Sequence, residues 1–583
     1  MKFCADFETT TDPGDCRVWA YGIAAIDDPT NFIYGNSLDD FILWLRFQKV
    51  ATVYFHNLKF DGEFILHWLL TNGFKFVDDK RDMTANTFTT LISDKGQFYS
   101  IEICFDVIKN RKEVITIYDS LKILPFSVKQ IAKGFNLQES KLKIDYREYR
   151  EPGHELTQHE IDYLKNDVVI VAKALKTLFD QQLNQMTQGS NALHDFKKII
   201  TPKNFARWFP TPQYDADIRQ SYKGGFTYLS PAYKNTDLGQ GIVLDVNSLY
   251  PSVMYYNPLP YGEGIYFRGK YKEDSLYNLY IQMFTCQFKL KEKYIPTIQI
   301  KHSLSFIQTE YLTSSNGEDV TLCLTNIDLE LFLEHYEVFN MVYHSGWKFR
   351  SYTGIFTDYI DKWVAIKNES TLNGNEAMRT LAKLMLNALY GKFALNPNVQ
   401  GKMPYLDENG IVKYRLLPPE TREPIYIPVG TFITSWARYK TITSAQSVFD
   451  RFIYADTDSL HLVGTELPEN LEVDKVKLGA WKHEGTFNRA RYLRQKSYME
   501  EMIVDRKKYV KYKWENKNLR HLANYTNNQY LITNITCAGM PESCYKYVNW
   551  DNFKEESKFD GKLQMLHVPG GIVLKDIAFT IKS

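Results

Sequence analysis

Asp6 and Glu8 stand two residues apart in a stretch, Lys2 to Thr9, that alternates like a strand, so both carboxylates point to one face. Two acids on one face can share a divalent cation. Asp61 opens a helical pattern directly after His56-Asn57-Leu58-Lys59-Phe60. Asp167 follows Tyr163 by four residues, which sets a phenol and a carboxylate on one side of another helix. Four carboxylates and a tyrosine are what phosphodiester hydrolysis by two ions about 4 Å apart requires, the phenol orienting the attacking water. A second set lies further along. Asp245 is followed by Val246-Asn247-Ser248-Leu249-Tyr250-Pro251, backbone and small polar groups able to approach a triphosphate, and Asp456-Thr457-Asp458 marks the tip of an expected hairpin. Facing charge comes from Asn375 to Tyr390, where Arg379, Lys383, Asn387 and Tyr390 recur at i, i+4, i+8 and i+11 as one polar stripe, with Leu381, Leu384, Met385 and Leu389 opposite. Acids that hold magnesium opposite a cationic helix are the parts of phosphoryl transfer.

These side chains need a frame. Val18 to Ile26 and Ala51 to Phe55 read as further strands, Ser37 to Gln48 and Asp61 to Leu70 as helices, the latter stopping at Asn72 and Gly73. Thr157 to Gln182 is the clearest helix of this half, opened by a Thr157-x-x-Glu160 capping box. The polar stretch Gln185 to Ser190 marks a boundary. Beyond it, Gly241 to Leu249 is strand-like, Asn375 to Tyr390 is a helix ending on Gly391 as its C-cap, residues 394 to 428 are hairpin-rich, and Arg451 to Val463 forms the hairpin carrying Asp456 and Asp458. The expected class is multidomain, α/β and α+β.

The chain has 583 residues, enough for several cores. Lys plus Arg number 70 against 69 Asp plus Glu, so no global field draws in a polyanion, and nucleic-acid binding has to come from local segregation. Residues 482 to 520 offer it: twelve Lys or Arg against five acids, interleaved with Tyr492, Tyr498, Tyr509, Tyr512 and Trp514. Seven scattered cysteines without a Cys-x-x-Cys pair exclude a disulfide framework and fit a reducing compartment. No apolar run approaches a membrane span, and Asp6 and Glu8 fall where a signal peptide needs an apolar core, so no membrane partner is expected.

Asp6-Phe7-Glu8-Thr9-Thr10, His56-Asn57-Leu58-Lys59-Phe60-Asp61-Gly62 and Tyr163-Leu164-Lys165-Asn166-Asp167 resemble the three motifs of the proofreading exonuclease in family B DNA polymerases. Asp245 to Pro251, Lys383 to Gly391 and Tyr454 to Ser459 resemble polymerase motifs A, B and C, in the family's order. With Tyr222-Lys223-Gly224-Gly225, Thr434 to Arg438 and Lys496-Ser497-Tyr498, the chain is similar to the protein-primed subgroup. Ala388 and Ala455 replace residues more usual there, and the loop from Lys367 to Arg379 reads as lengthened.

The resemblance implies a ribonuclease-H-like 3′-5′ exonuclease followed by a right hand of palm, fingers and thumb with two insertions. The implied divisions are 1 to 187 exonuclease, 188 to 256 and 424 to 536 palm, 257 to 354 and 395 to 423 insertions, 355 to 394 fingers, and 537 to 583 thumb. Asp6, Glu8, Asp61 and Asp167 are the implied exonuclease metal ligands, Tyr163 the water positioner and Lys141 an auxiliary catalytic lysine. Thr9, His56, Asn57, Phe60, Ser120, Leu121 and Tyr146 would contact the frayed 3′ strand. In the polymerase, Asp245 and Asp458 are the main implied metal ligands, with Asp456 and the Val246 carbonyl beside them. Lys367, Lys383, Asn387 and Tyr390 would hold the nucleotide, and Tyr250 would exclude a 2′-hydroxyl. Tyr222, Gly224, Gly225, Ser248, Arg438, Lys496 and Tyr498 would contact DNA. The implied cofactors are two Mg2+ ions per site, Mn2+ able to substitute. The implied partners are primer-template DNA, displaced single-stranded DNA, dNTPs and a terminal protein, for a monomer or a heterodimer with that protein in the cytoplasm of a phage-infected bacterium.

Overall fold

Lys2–Thr9 lies inside an eight-stranded sheet, antiparallel to Val18–Ala25 and parallel to Ala51–Phe55, which itself runs parallel to Arg111–Asp119. The computed structural model describes residues 1–146, 148–300, 310–515, 522–524 and 529–582. Period two sorts the first strand. Phe3, Ala5 and Phe7 enter one apolar cluster with the helices Leu38–Gln48 and Leu58–Thr71, whereas Cys4 packs with Val168 and Leu175 of the helix Gln158–Asp180 on the opposite side. Asp6 and Glu8 therefore share the side covered by the helix that carries Tyr163 and Asp167. That helix begins as its sequence requires: Thr157 and Glu160 form a reciprocal capping box. The polar stretch expected as a boundary is instead helical in part, since Thr187 caps Gln188–Ile200.

The second sheet has nine strands, with Gly241–Val246 between Ser459–Val463 and Trp481–Arg494. Phe452–Asp456 and Ser459–Val463 make the expected hairpin, and Thr457 adopts a left-handed φ of 63° at its turn. Gly225 faces this turn because a Cβ there would come within 2.6 Å of Thr457 Oγ1. The buried helix Ile427–Ser447 backs the sheet.

Two expectations change in the helical pair above it. Lys367 to Arg379 is not a long loop: Thr357–Leu372 and Glu376–Ala388 are joined by three residues, and Asn375 caps the second helix by accepting from the Met378 amide at 3.1 Å. Gly391 is not a C-cap, because Leu389 stays right-handed and the chain continues as the short helix Tyr390–Phe393.

Residues 257 to 354 contain a four-stranded sheet, Leu259–Arg268, Tyr336–Tyr352, Leu279–Leu290 and Val320–Thr325, with the helix Asn326–His335 against it. In 395 to 423 the hairpin Lys402–Leu406/Val412–Leu416 lies on the first unit, where Val412 joins the core. A last hairpin, Lys558–Val568/Gly571–Thr580, closes the chain. Of the basic segment, the helix Arg506–Glu515 is seen, while the side chains of Tyr512 and Trp514 and residues 516–520 lie outside the described residues. All seven cysteines are free thiols, and among the described residues no helix is long and apolar enough to cross a membrane.

Candidate active sites

In the first site, Asp61 stands one turn into Leu58–Thr71, whose entry is bent by Asn57 at φ 78°. Glu8, Asp61 and Asp167 are at least nine-tenths buried, and so is Tyr163. Burial, then the charge of Asp167, pushes Asp6 up to about 7, against the opposing pull of Lys141. Burial and Asp6 push Glu8 and Asp61 well above the ordinary carboxylate range. Asp167 is raised by burial and held back by Lys141, whose Nζ lies 3.0 Å from Asp167 Oδ2. The Tyr146 and Tyr163 hydroxyls meet at 2.5 Å.

The second site is built across paired strands. Asp245 lies opposite Ser459 on one side and Lys482 on the other, and the Val246 amide donates to the Asp458 carbonyl at 2.7 Å. Burial, then Asp458 and Glu484, pushes Asp245 up to about 7 while Lys482 opposes; burial also raises Asp458. Asp456 differs from both. It accepts from Lys496 Nζ at 2.8 and 2.9 Å and from Thr227 Oγ1 at 3.1 Å. Asp245, Asp456, Asp458, Lys496 and Tyr498 all line one cavity of about 540 Å³. From the helical pair, Lys367 and Lys383 have lowered pKa values, by burial first and by Arg379 next, with Lys482 adding to both, so four cations crowd one region. Tyr250 and Tyr390 stack with centroids 4.0 Å apart and planes 18° from parallel.

A family model, DNA polymerase type B, organellar and viral, matches residues 45–476. The chain belongs to the family B DNA polymerases. The DNA polymerase of Bacillus phage phi29 is 50% identical over 585 residues, spanning 100% of this chain and 99% of the relative. That of Streptococcus phage Cp-1 is 33% identical over 606 residues, spanning 100% and 98%. The solved structure of phi29 DNA polymerase complexed with primer-template DNA and incoming nucleotide substrates superposes with a TM-score of 0.91 at 48% identity, covering all of both chains.

The fold is thus that of a family B polymerase, and membership implies use of divalent metal. Among the described residues no three His, Cys, Asp or Glu close on one metal-sized point. The acids still shift one another's protonation. The donor chemistry nevertheless fits a hard cation: Asp61 Oδ1 and Asp167 Oδ1 are buried oxygens without a hydrogen-bond partner.

Thr9, Asn57, Phe60 and Leu121 of the polymerase are partly exposed, and so are Tyr222, Gly224, Gly225 and Ser248; Asn387 and Lys496 are exposed. Three residues read from sequence as DNA contacts are engaged internally. Arg438, 2% exposed, donates to both Asp328 carboxylate oxygens at 3.0 and 2.6 Å and to the Lys223 and Gly224 carbonyls at 2.9 and 2.8 Å, so it braces the Tyr222-to-Gly225 loop from beneath. Ser120 is fully buried and donates to the Phe55 carbonyl at 3.0 Å. His56 has Nδ1 3.0 Å from Ser120 Oγ and Nε2 2.6 Å from the Phe126 carbonyl, which leaves neither ring nitrogen for a strand.

Sequence reasoning missed Asp119, whose Oδ1 accepts from the amides of Asn57, Leu58 and Leu121 at 3.1, 3.3 and 3.0 Å. Its only sequence signal is its place at the end of a strand, just before Ser120 and Leu121. Lys482 and Glu484, themselves an ion pair, escaped singling out because only strand pairing brings them to Asp245.

Proposed function

We propose that the polymerase joins DNA-directed synthesis to 3′-5′ proofreading at a separate site, initiates on a protein hydroxyl and displaces the downstream strand as it advances. The observation that supports two activities is two separate acid groups, Asp6, Glu8, Asp61 and Asp167 on the first sheet and the helices packed on it, and Asp245, Asp456 and Asp458 on the second sheet and its hairpin turn, each with its own lysine: Lys141 on Asp167, Lys496 on Asp456. In this reading residues 1 to 187 proofread, 257 to 354 receive the terminal protein, 395 to 423 serve strand displacement, and the palm, fingers and thumb occupy the divisions given above.

Asp6, Glu8, Asp61 and Asp167 would hold two Mg2+ ions, and Asp245 and Asp458, with Asp456 and the Val246 carbonyl, two more; Mn2+ substitutes. When bound, the ions neutralise phosphate oxygens and acidify the attacking oxygen. At the first site Tyr163, held by Tyr146, orients water, and Lys141 balances the charge of Asp167. At the second, Lys367, Arg379 and Lys383 grip the triphosphate, and Asn387 lies on the same helix face. Tyr250, fixed by its stack on Tyr390, lies under the sugar and leaves no space for a 2′-hydroxyl. Lys496 and Tyr498 grip the primer end. The partners are primer-template DNA, displaced single-stranded DNA, dNTPs and a terminal protein, and the setting is the cytoplasm of the infected host.

The test is primer extension on single-stranded DNA with and without dNTPs. Asp6→Ala with Glu8→Ala lowers 3′ degradation by orders of magnitude and leaves extension standing; Asp458→Ala does the reverse. Parallel loss of both activities in a folded variant would refute two sites.

A further inference from the structure

Three segments remote in sequence meet at Glu63. It lies in Leu58–Thr71 on the exonuclease unit and is 1% exposed. From the hairpin Lys402–Leu406/Val412–Leu416, the Tyr414 hydroxyl donates to Glu63 Oε1 at 2.7 Å. From the C-terminal hairpin, His567 Nδ1 lies 3.6 Å from Glu63 Oε2, and neither of these two atoms has a hydrogen-bond partner among the described residues. Burial and the Glu63 carboxylate hold the Tyr414 phenol well above its ordinary pKa, so its proton stays for Glu63. A carboxylate removed from water is costly unless it is paired, which makes this an improbable place for an idle acid.

Both hairpins are fitted to the same helix. Val412 joins the apolar cluster to which Leu66 and Leu69 of that helix belong, and the Asp94 amide donates to the Gln400 carbonyl at 2.8 Å. The turn of the C-terminal hairpin presses closer still. A Cβ on Gly570, whose φ is 95°, would stand 2.1 Å from the Cys16 carbonyl, and one on Gly571 would stand 2.6 Å from the Phe64 ring. Cys16 Sγ lies 3.6 Å from the Ile572 carbonyl. Apolar packing and other polar contacts also seat each hairpin, but Glu63 is the one side chain that faces both: Tyr414 hydrogen-bonds to one carboxylate oxygen, and His567 stands within ion-pair distance of the other when its imidazole is protonated.

We infer that Glu63 is a clasp, a positioning residue that couples the 395 to 423 hairpin to the thumb hairpin and keeps the two closed over bound DNA. This rests on the reading above, in which 395 to 423 serve strand displacement and 537 to 583 form the thumb, and it adds that the two lie on either side of the bound duplex. Opening the clasp frees the duplex to leave sideways without touching Asp245, Asp456 or Asp458. Its loss therefore shortens each binding event and spares the chemical step of synthesis.

The experiment compares Tyr414→Phe, His567→Leu, Glu63→Gln and a deletion of 395 to 423 in the full chain. Two DNA assays are run: filling of a short gap, and extension of a long primed template with a DNA trap that limits each enzyme to one binding event. Tyr414→Phe removes a single hydroxyl that touches none of the acids or lysines of the synthetic site, so gap filling stays at the wild-type rate while trapped products shorten, by up to about tenfold for loss of one hydrogen bond to a charged group. Tyr414→Phe combined with Glu63→Gln shortens them less than the product of the single effects, since both act on one contact. Hydrogen exchange supplies a readout that a local packing defect does not move: Tyr414→Phe, made in one hairpin, speeds amide exchange in the other, Lys558–Val568/Gly571–Thr580. If the deletion shortens trapped products while the point variants leave both length and exchange unchanged, the clasp is wrong and the strand-displacement role of 395 to 423 stands. If the deletion leaves them at full length, both fall.

Discussion

Asp6 and Asp245 carry the same burden in two different sites: each carboxyl is pushed up to about 7 from an ordinary 3.8, first by burial and then by a neighbouring acid. A folded-state pKa above the unfolded one means that the folded chain binds more protons between those two values, so its stability falls as pH rises through that window. Carboxylates pulled the other way do not act there. Glu160 and Asp237 are lowered to about 2, and the stability they lend is lost only as pH falls below the ordinary carboxylate range. The metal-free polymerase should therefore melt at a lower temperature at pH 8 than at pH 5. Mg2+ should raise Tm more at pH 8, where it no longer competes with protons for the same oxygens. Asp6→Asn with Glu8→Gln, which removes charge and keeps shape, should flatten part of the pH slope. Thermal melts in EDTA and in Mg2+ check this, and an equal Mg2+ effect at both pH values would contradict it.

At the scale of elements, Asp119 holds the exonuclease loop through three amides at once. Asp119→Ala would leave buried donors unmet at about 1–3 kcal/mol each, so Tm should drop sharply and degradation of a single-stranded 3′ end should fall with it as Asn57 and Asp61 shift. Asp119→Asn keeps an acceptor and should restore most of both, while extension by the distant palm persists in either variant. Full exonuclease activity in a stable Asp119→Ala protein would rule out this role. What could be read in advance here was local. The common face of Asp6 and Glu8 follows from period two, Tyr163 with Asp167 from the helical repeat, the start at Thr157 from its capping box, and the Asp456 to Asp458 tip from turn chemistry. Asp119 was illegible because two of its three partners, the Asn57 and Leu58 amides, lie on another loop. Arg438 was misread for the same reason: an arginine in a recognised motif suggests a surface contact, and nothing in the neighbouring sequence announces Asp328. Gly391 misled because a glycine after a helical run is a frequent stop signal, but here the following residues pack as helix, with Phe393 in the core.

The whole molecule sets limits on how its parts can be tested. Residues 257 to 354 are rooted in the helix Ile427–Ser447 by the Arg438 to Asp328 ion pair and by Thr325 Oγ1, which lies 3.0 Å from Ser435 Oγ. Removing the insertion would strand a buried guanidinium, at a cost of about 3–5 kcal/mol, so loss of function after such a deletion would not separate docking from folding. Its outer surface offers a cleaner handle. Phe339 and Val342, 50% and 56% exposed, project from the strand Tyr336–Tyr352, and Tyr266 of the adjacent strand is 48% exposed. Large apolar side chains left in water around one sheet suit a protein partner better than a phosphate backbone. Phe339→Ser with Val342→Ser removes apolar contact area and leaves Asp328, Arg438 and the palm acids untouched. With the terminal protein of the same genome, labelled dATP and Mg2+ or Mn2+, the double variant should form the covalent protein-nucleotide adduct at least about tenfold less than wild type, as expected for loss of central apolar contacts. Extension of a DNA primer should be unchanged, because no group that holds the nucleotide or primer has moved. An adduct yield equal to wild type would remove this face from initiation and leave the partner to dock elsewhere on the polymerase.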